Sequence, residues 1–381
     1  MILSDIKLRK QGQLHVLECL LNKERLYFET SHIVLIDEKE LIYDAFVIAV
    51  IPLMIEKKES LIVKGLMDAT LQKQLNEIVI PKLLAIHQIT LNLTINCSKT
   101  SINHKLQNNS IATGISCGVD SFATIKSFKE YSKKLDYLTF FNAGSHGAYD
   151  TQNSKINYKH RLLNATRASQ ELGGREMIKV ETNAHSFLSG RFKSAHSFLN
   201  LSCAFATLGL LNHYHYASAY SLRQSSEQSG DTSNFDHIIL PQLFASYFST
   251  QSTLGNMNRV ERVGYISTFK TSHKYLDVCT NSMIASLLKK QNCTSCEKCM
   301  RTAATLDILG VFNKYHEVFC LDTYRKNKRI YLSRLLTGKN SIHDEELLEL
   351  YREKKQIKMS YYLNGHFMRI KAGVKKLIKR N

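Results

Sequence analysis

At 381 residues the chain is long for one average domain and short for three, which sets the expectation of two domains and an appended tail. Apolar residues at 44%, charged residues at 22% and only three prolines exclude a disordered or collagen-like chain, and the longest apolar run, residues 46–54, is broken by Pro52 and falls short of the roughly 20 residues a membrane span needs. A net charge of +18, from 51 Lys and Arg against 33 Asp and Glu, points to polyanionic partners: nucleotides, nucleic acid or an anionic membrane surface.

The opening residues, MILSDIKLRKQGQLHV, carry no apolar stretch followed by a small-residue cleavage site, so a cytoplasmic protein with reduced thiols is expected. In residues 1–100, LHVLECLL and ERLYFET read as hairpin strands, residues 44–55 as a buried helix or strand, and SLIVKG as a further strand. QITLNLTIN reads as a strand because Ile89, Leu91, Leu93 and Ile95 alternate with polar neighbours. Together they predict a small strand-rich α+β domain, joined by the polar link CSKTSINHKLQNNS to a second domain over residues 108–310. There, short apolar runs at 111–115, 137–142, 177–182 and 213–220 alternate with helical stretches at 121–133, 156–172 and 197–211, the second closed by Gly173 and Gly174. Strict alternation predicts an α/β fold, a mostly parallel sheet with helices on both faces and ligands at the carboxyl ends of its strands.

The segment IATGISCGVDSFATI, residues 111–125, stands at the first of those ends. Ser116, Cys117, Gly118, Val119, Asp120 and Ser121 lead from a strand into a helix whose inner face carries Phe122 and Ile125. Such a turn presents successive backbone N–H groups, and the helix adds about half a positive charge at its N-terminus, so the segment suits an anion. An ordinary turn capped by Asp120 or Ser121 is the plainer reading. A carboxylate within a phosphate site has a purpose if it orients a substrate group or meets Mg²⁺.

Further on, CTNSMIASLLKKQNCTSCEKCMRT spaces Cys293, Cys296 and Cys299 as C-x2-C-x2-C, with Cys279 fourteen residues upstream. Four thiolates suit tetrahedral zinc in a closed structural site. An iron–sulfur cluster, a redox C-x-x-C pair and plain free thiols are the other readings.

The run from Ser116 to Ser121 resembles S-G-G-x-D-S, the signature of the PP-loop ATP pyrophosphatases, with Cys117 in place of a glycine. A PP-loop followed by such cysteines is similar to the 7-cyano-7-deazaguanine synthase-like branch of that family, over residues 110–310, although the interval from Cys279 to Cys293 is longer than in that branch. The resemblance implies a HUP, Rossmann-like domain that uses ATP with Mg²⁺, and a structural Zn²⁺ on Cys279, Cys293, Cys296 and Cys299 within a subdomain at 270–305. It implies that Ser116, Cys117, Gly118, Val119, Asp120 and Ser121 hold the phosphates, with Asp120 and Ser121 catalytic. It also implies that the end of the second strand, at Asn142, Gly144 and His146, meets the nucleotide. The activity expected is an AMP- and pyrophosphate-forming ligase or amidating enzyme that adenylates a carboxylate or carbonyl of a small-molecule acceptor for attack by a nitrogen nucleophile. Sulfur transfer to RNA and a non-enzymatic nucleotide-binding module are the alternatives.

His146 by itself, in a polar loop, reads most simply as solvated. Arg259, Arg262 and Lys270 are cations that could meet phosphates or a substrate carboxylate, or sit on the surface. Residues 311–381 form a basic helical extension with 17 basic and 7 acidic side chains, and its ending, HFMRIKAGVKKLIKRN, spaces Ile370, Val374 and Leu377 or Ile378 on one helical face. That stripe either docks on the protein or rests on an anionic membrane, with RNA as a less favoured partner.

Overall fold

Three strands occupy most of the first thirty residues, the middle one buried along nearly its whole length. β1 (Ile2–Gln11), β2 (Leu14–Leu21) and β3 (Glu24–Thr30) form an antiparallel meander. The turn from β2 to β3 has Asn22 and Lys23 both at positive φ, the conformation that matches the twist of a two-residue hairpin. The computed structural model describes residues 1–32, 40–101, 109–188, 190–208, 210–228, 230–281, 285 and 287–378, with the side chains of residues 101 and 372–378 outside the description. Among these residues the chain divides into two units: residues 1–116 with 127–256, and residues 117–126 with 257–381.

In the first unit, α1 (Asp44–Lys57) is apolar nearly all round and buried as a core helix. Asp44 opens it fully buried, accepting hydrogen bonds from the Asp68 amide and the Tyr247 hydroxyl, both at 3.0 Å, while burial pushes its carboxyl pKa up to about 7. β4 (Leu61–Asp68) is followed by α2 (Ala69–Gln74), capped by Asp68, a π-helical turn, α3 (Ile80–Ile86) and β5 (Ile95–Ser101). Then strand and helix alternate: β6 (Ile111–Gly114), α4 (Val119–Glu130), β7 (Tyr137–Asn142), α5 (Gln152–Glu171), β8 (Met177–Thr182), α6 (His196–Phe205), β9 (His213–Tyr216), α7 (Asp236–Ile239) and β10 (Ser249–Ser252). Gly173 and Gly174 end α5 in the left-handed region, with the Gly174 amide donating to the Ser169 carbonyl.

All ten strands join one sheet in the order β10-β9-β6-β7-β8-β3-β2-β1-β4-β5. The five from β10 to β8 run parallel, and counted from β6 their order is that of a doubly wound sheet, with its switch point between β6 and β9. The amino-terminal strands, expected as a domain of their own, extend this sheet: β3 pairs antiparallel with β8 through Phe28–Thr182, Glu29–Glu181 and Thr30–Val180. Pairing there satisfies an edge that two separate sheets would leave open. The alternation at residues 89–95 does not make a strand; only Ile95 onward pairs, and Leu91 is exposed.

The second unit adds helices to its loop segment: α8 (Arg259–Ile266), α9 (Lys270–Tyr275), α10 (Glu297–Ile308), α11 (Leu321–Thr337), α12 (Ile342–Glu353) and α13 (Met359–Ile378). Asn258 with Glu261 and Ser341 with Asp344 form capping boxes at the starts of α8 and α12. Met300, Leu306, Phe312, Tyr315, Phe319 and Leu347 are among its buried side chains. Among the described residues no helix is long and apolar enough to cross a membrane.

Candidate functional site

After β6 the chain passes through Ile115 and Ser116 to a turn that Cys117 makes possible. Its φ is 58°, a left-handed conformation that costs a side-chain-bearing residue about 1–2 kcal/mol and that glycine adopts freely. This is a physical reason for a glycine at that place in the signature the segment resembles. The Cys117 side chain is 1% exposed, and burial, with the Asp277 charge behind it, pushes the thiol well above its ordinary pKa. Its carbonyl accepts from the Asp277 amide at 2.8 Å. Val119 and Asp120 then open α4, a twelve-residue helix, and Ser121 is buried in its first turn.

Asp120 is the electrostatic centre of the second unit's loop. One carboxylate oxygen accepts from Arg262 at 2.7 Å and the other lies 2.8 Å from Arg259. Burial alone would raise its pKa, but the Arg259 and Arg262 guanidiniums outweigh burial and hold the carboxyl below its usual range. Arg262 is fully buried, and its Nε donates to the Met257 carbonyl at 3.1 Å. From α12, Glu346 accepts the Arg259 amide at 3.0 Å and lies 3.6 Å from His343. Lys270 stays exposed at the start of α9. Lys126, on α4, caps the end of α8 by donating to the Tyr265 carbonyl at 2.6 Å and to Thr268 at 2.7 Å.

The residues after β7 belong to the first unit. Asn142 donates to Glu181 at 2.8 Å. Gly144 has φ 101°, and a Cβ there would come within 3.0 Å of Phe192 and His185, so only glycine fits. His146 is not solvated: the residue is 6% exposed and its ring packs beside Phe140 and Tyr158. Asn157 and Arg161 of α5 donate to the carbonyls of His146 and Ser145, pinning this loop.

The four cysteines come together within the second unit. The sulfurs of Cys279, Cys293, Cys296 and Cys299 all lie within 4.8 Å of one another. Zinc–sulfur bonds of about 2.3 Å in a tetrahedron give edges of about 3.8 Å, and Cys293 and Cys299 stand 3.8 Å apart. The set fits one metal ion; a multi-iron cluster needs its thiolates farther apart. Backbone amides orient the sulfurs, those of Asn281 and Cys293 toward Cys279 and that of Cys296 toward Cys293. Cys296 is also the N-cap residue of α10, which places Cys299 in that helix's first turn. Asn292, fully buried, holds the hairpin by accepting from the Val278 amide and donating to the Leu276 carbonyl.

The cysteine hairpin and the loop share a strut. Asp277, whose amide holds Cys117, accepts the Cys279 amide at 3.1 Å and the Gln291 side chain at 2.8 Å. Thus one residue ties the turn at Cys117, through its amide, to the first cysteine of the cluster, through its carboxylate. Asp277, Glu346 and His343 gave no sequence signal, because their roles depend on contacts across long chain separations. No protein-family model and no curated protein matches this chain.

Proposed function

We propose that the chain binds ATP at the loop from Ser116 to Ser121 and splits it between the α and β phosphates. A carboxylate or carbonyl oxygen of a small acceptor takes the adenylyl group, and a nitrogen nucleophile then displaces AMP. The observation that carries this reading is the loop itself. It follows the strand at a doubly wound switch point and opens a twelve-residue helix, with Arg259 and Arg262 gathered on that helix's first turn. A HUP-type, Rossmann-like assignment of the sheet goes with it.

In this reading the loop amides and the helix terminus receive the leaving pyrophosphate, and the guanidiniums add charge where it develops, so catalysis is positioning and electrostatic stabilisation. Asp120 acts by fixing those two arginines. Both its oxygens pair with guanidiniums, and in this reading Mg²⁺ is carried by the nucleotide's own phosphates. Cys279, Cys293, Cys296 and Cys299 would hold one structural Zn²⁺, which supplies a cross-link rather than chemistry. The burial and raised pKa of Cys117 weigh against sulfur transfer, which needs a reachable thiolate.

The test is product identity. With ATP labelled on the α phosphate and a mixture of carboxylate and amine metabolites, AMP and pyrophosphate are expected. Release of ADP and orthophosphate would refute the assignment.

A further inference from the structure

α13 shows the wrong side to water. Met359, Leu363, Phe367 and Ile370 are spaced four, four and three apart, which puts them along one line of the helix. Each is between 65% and 73% exposed. The opposite line is the one that packs: Tyr361 and Gly365 are buried, and a Cβ on Gly365 would come within 2.5 Å of the Ser333 carbonyl of α11. Asn364 donates to the Ser333 hydroxyl at 3.0 Å and Arg369 to the Thr337 carbonyl at 2.9 Å. The helix is therefore fastened by its back, with an apolar front left uncovered.

Charge decides what covers it. Residues 354–381 contain nine Lys and Arg and no Asp or Glu, and Lys358, Arg369 and Lys371 are exposed beside the stripe. Pairing with a second copy would set these positive segments against each other. RNA would satisfy the charge, but Met359, Leu363 and Ile370 offer bases no stacking face and Phe367 is the one aromatic side chain on the line. An anionic bilayer satisfies both, and the helix cannot span it. We propose that α13 lies in the plane of an anionic lipid bilayer, with Met359, Leu363, Phe367 and Ile370 among the acyl chains and its lysines and arginines at the lipid phosphates. The proposal stands on α13 alone and is independent of the nucleotide reading. The apolar pattern called from the sequence at Val374 and Leu377 or Ile378 lies outside the described side chains.

The chain has no tryptophan, so Phe367→Trp in the full-length protein gives a single reporter on the stripe. With vesicles of equal parts phosphatidylglycerol and phosphatidylcholine, its emission is expected to shift to the blue and the protein to float with the lipid. Binding should be at least about tenfold tighter than to phosphatidylcholine alone and should weaken with salt. Leu363→Gln with Ile370→Gln is expected to weaken flotation about tenfold or more while circular dichroism stays unchanged, since both side chains are exposed. Emission that stays at its water wavelength, or flotation unaffected by the double substitution, would overturn the proposal. So would a lipid-free dimer that the double substitution dissolves, which would assign the stripe to a second copy.

Discussion

His146 sits with its ring centroid 5.5 Å from Phe140 and 5.3 Å from Tyr158. Burial, reinforced by the Arg161 charge, pushes its pKa down to about 4. A histidine whose folded pKa lies below its unfolded value of about 6.5 binds its proton more readily when unfolded, so stability falls as pH drops through that window. The loss linked to this one group reaches about 3 kcal/mol near pH 4. Asp44 acts with the opposite sign, its raised pKa favouring the folded state toward acid pH. The informative quantity is therefore the difference between wild type and His146→Phe. Urea midpoints at about pH 7 and about pH 4.5 should converge for the variant relative to wild type. Equal pH dependence in both proteins would show that His146 titrates normally. Asp120 has a different window: held low by two arginines, its pairing is intact above the ordinary carboxylate range and is lost only as pH falls below it.

At the scale of elements, the hairpin from Asp277 to α10 depends on its four sulfurs. Four thiols within 4.8 Å cannot all ionise without a cation, and a structural metal commonly contributes about 10–16 kcal/mol in small zinc modules, as much as a whole domain's margin. Elemental analysis should find one zinc per chain, and chelation or Cys296→Ser should lower the unfolding temperature of the unit containing residues 257–381. Iron with visible absorption, or a metal-free chain of unchanged stability, would contradict this. The cysteine spacing was legible in the sequence because the ligands are close in the chain and chemically singular. So were β2, β3, β7 and β8, where local apolar pattern and pairing agree. The helices at residues 69–86 were not, since a π-turn and Pro81 interrupt their periodicity. Nor was the clasp of Arg259 and Arg262 on Asp120, because 142 residues separate Asp120 from Arg262 and only the fold joins them.

At the scale of the whole molecule, ten of the eighteen net positive charges fall in residues 311–381, so the basic character that first suggested a polyanion partner belongs largely to the helical extension. The nucleotide reading rests instead on a few groups around one turn. The sheet's continuity from β10 to β5 was hidden from the sequence because β3 and β8 meet across 150 residues of chain, a register that no local pattern encodes. The exposure of the α13 stripe was hidden likewise, since the spacing of apolar residues does not say which face a partner covers. The most direct measurement of the central claim is a calorimetric titration of the full chain with Mg·ATP, run beside a Gly118→Glu variant that puts a carboxylate into the loop. Saturable heat for one site per chain, abolished in the folded variant, is the predicted result; no heat from the wild type, or equal heat from both proteins, would contradict it.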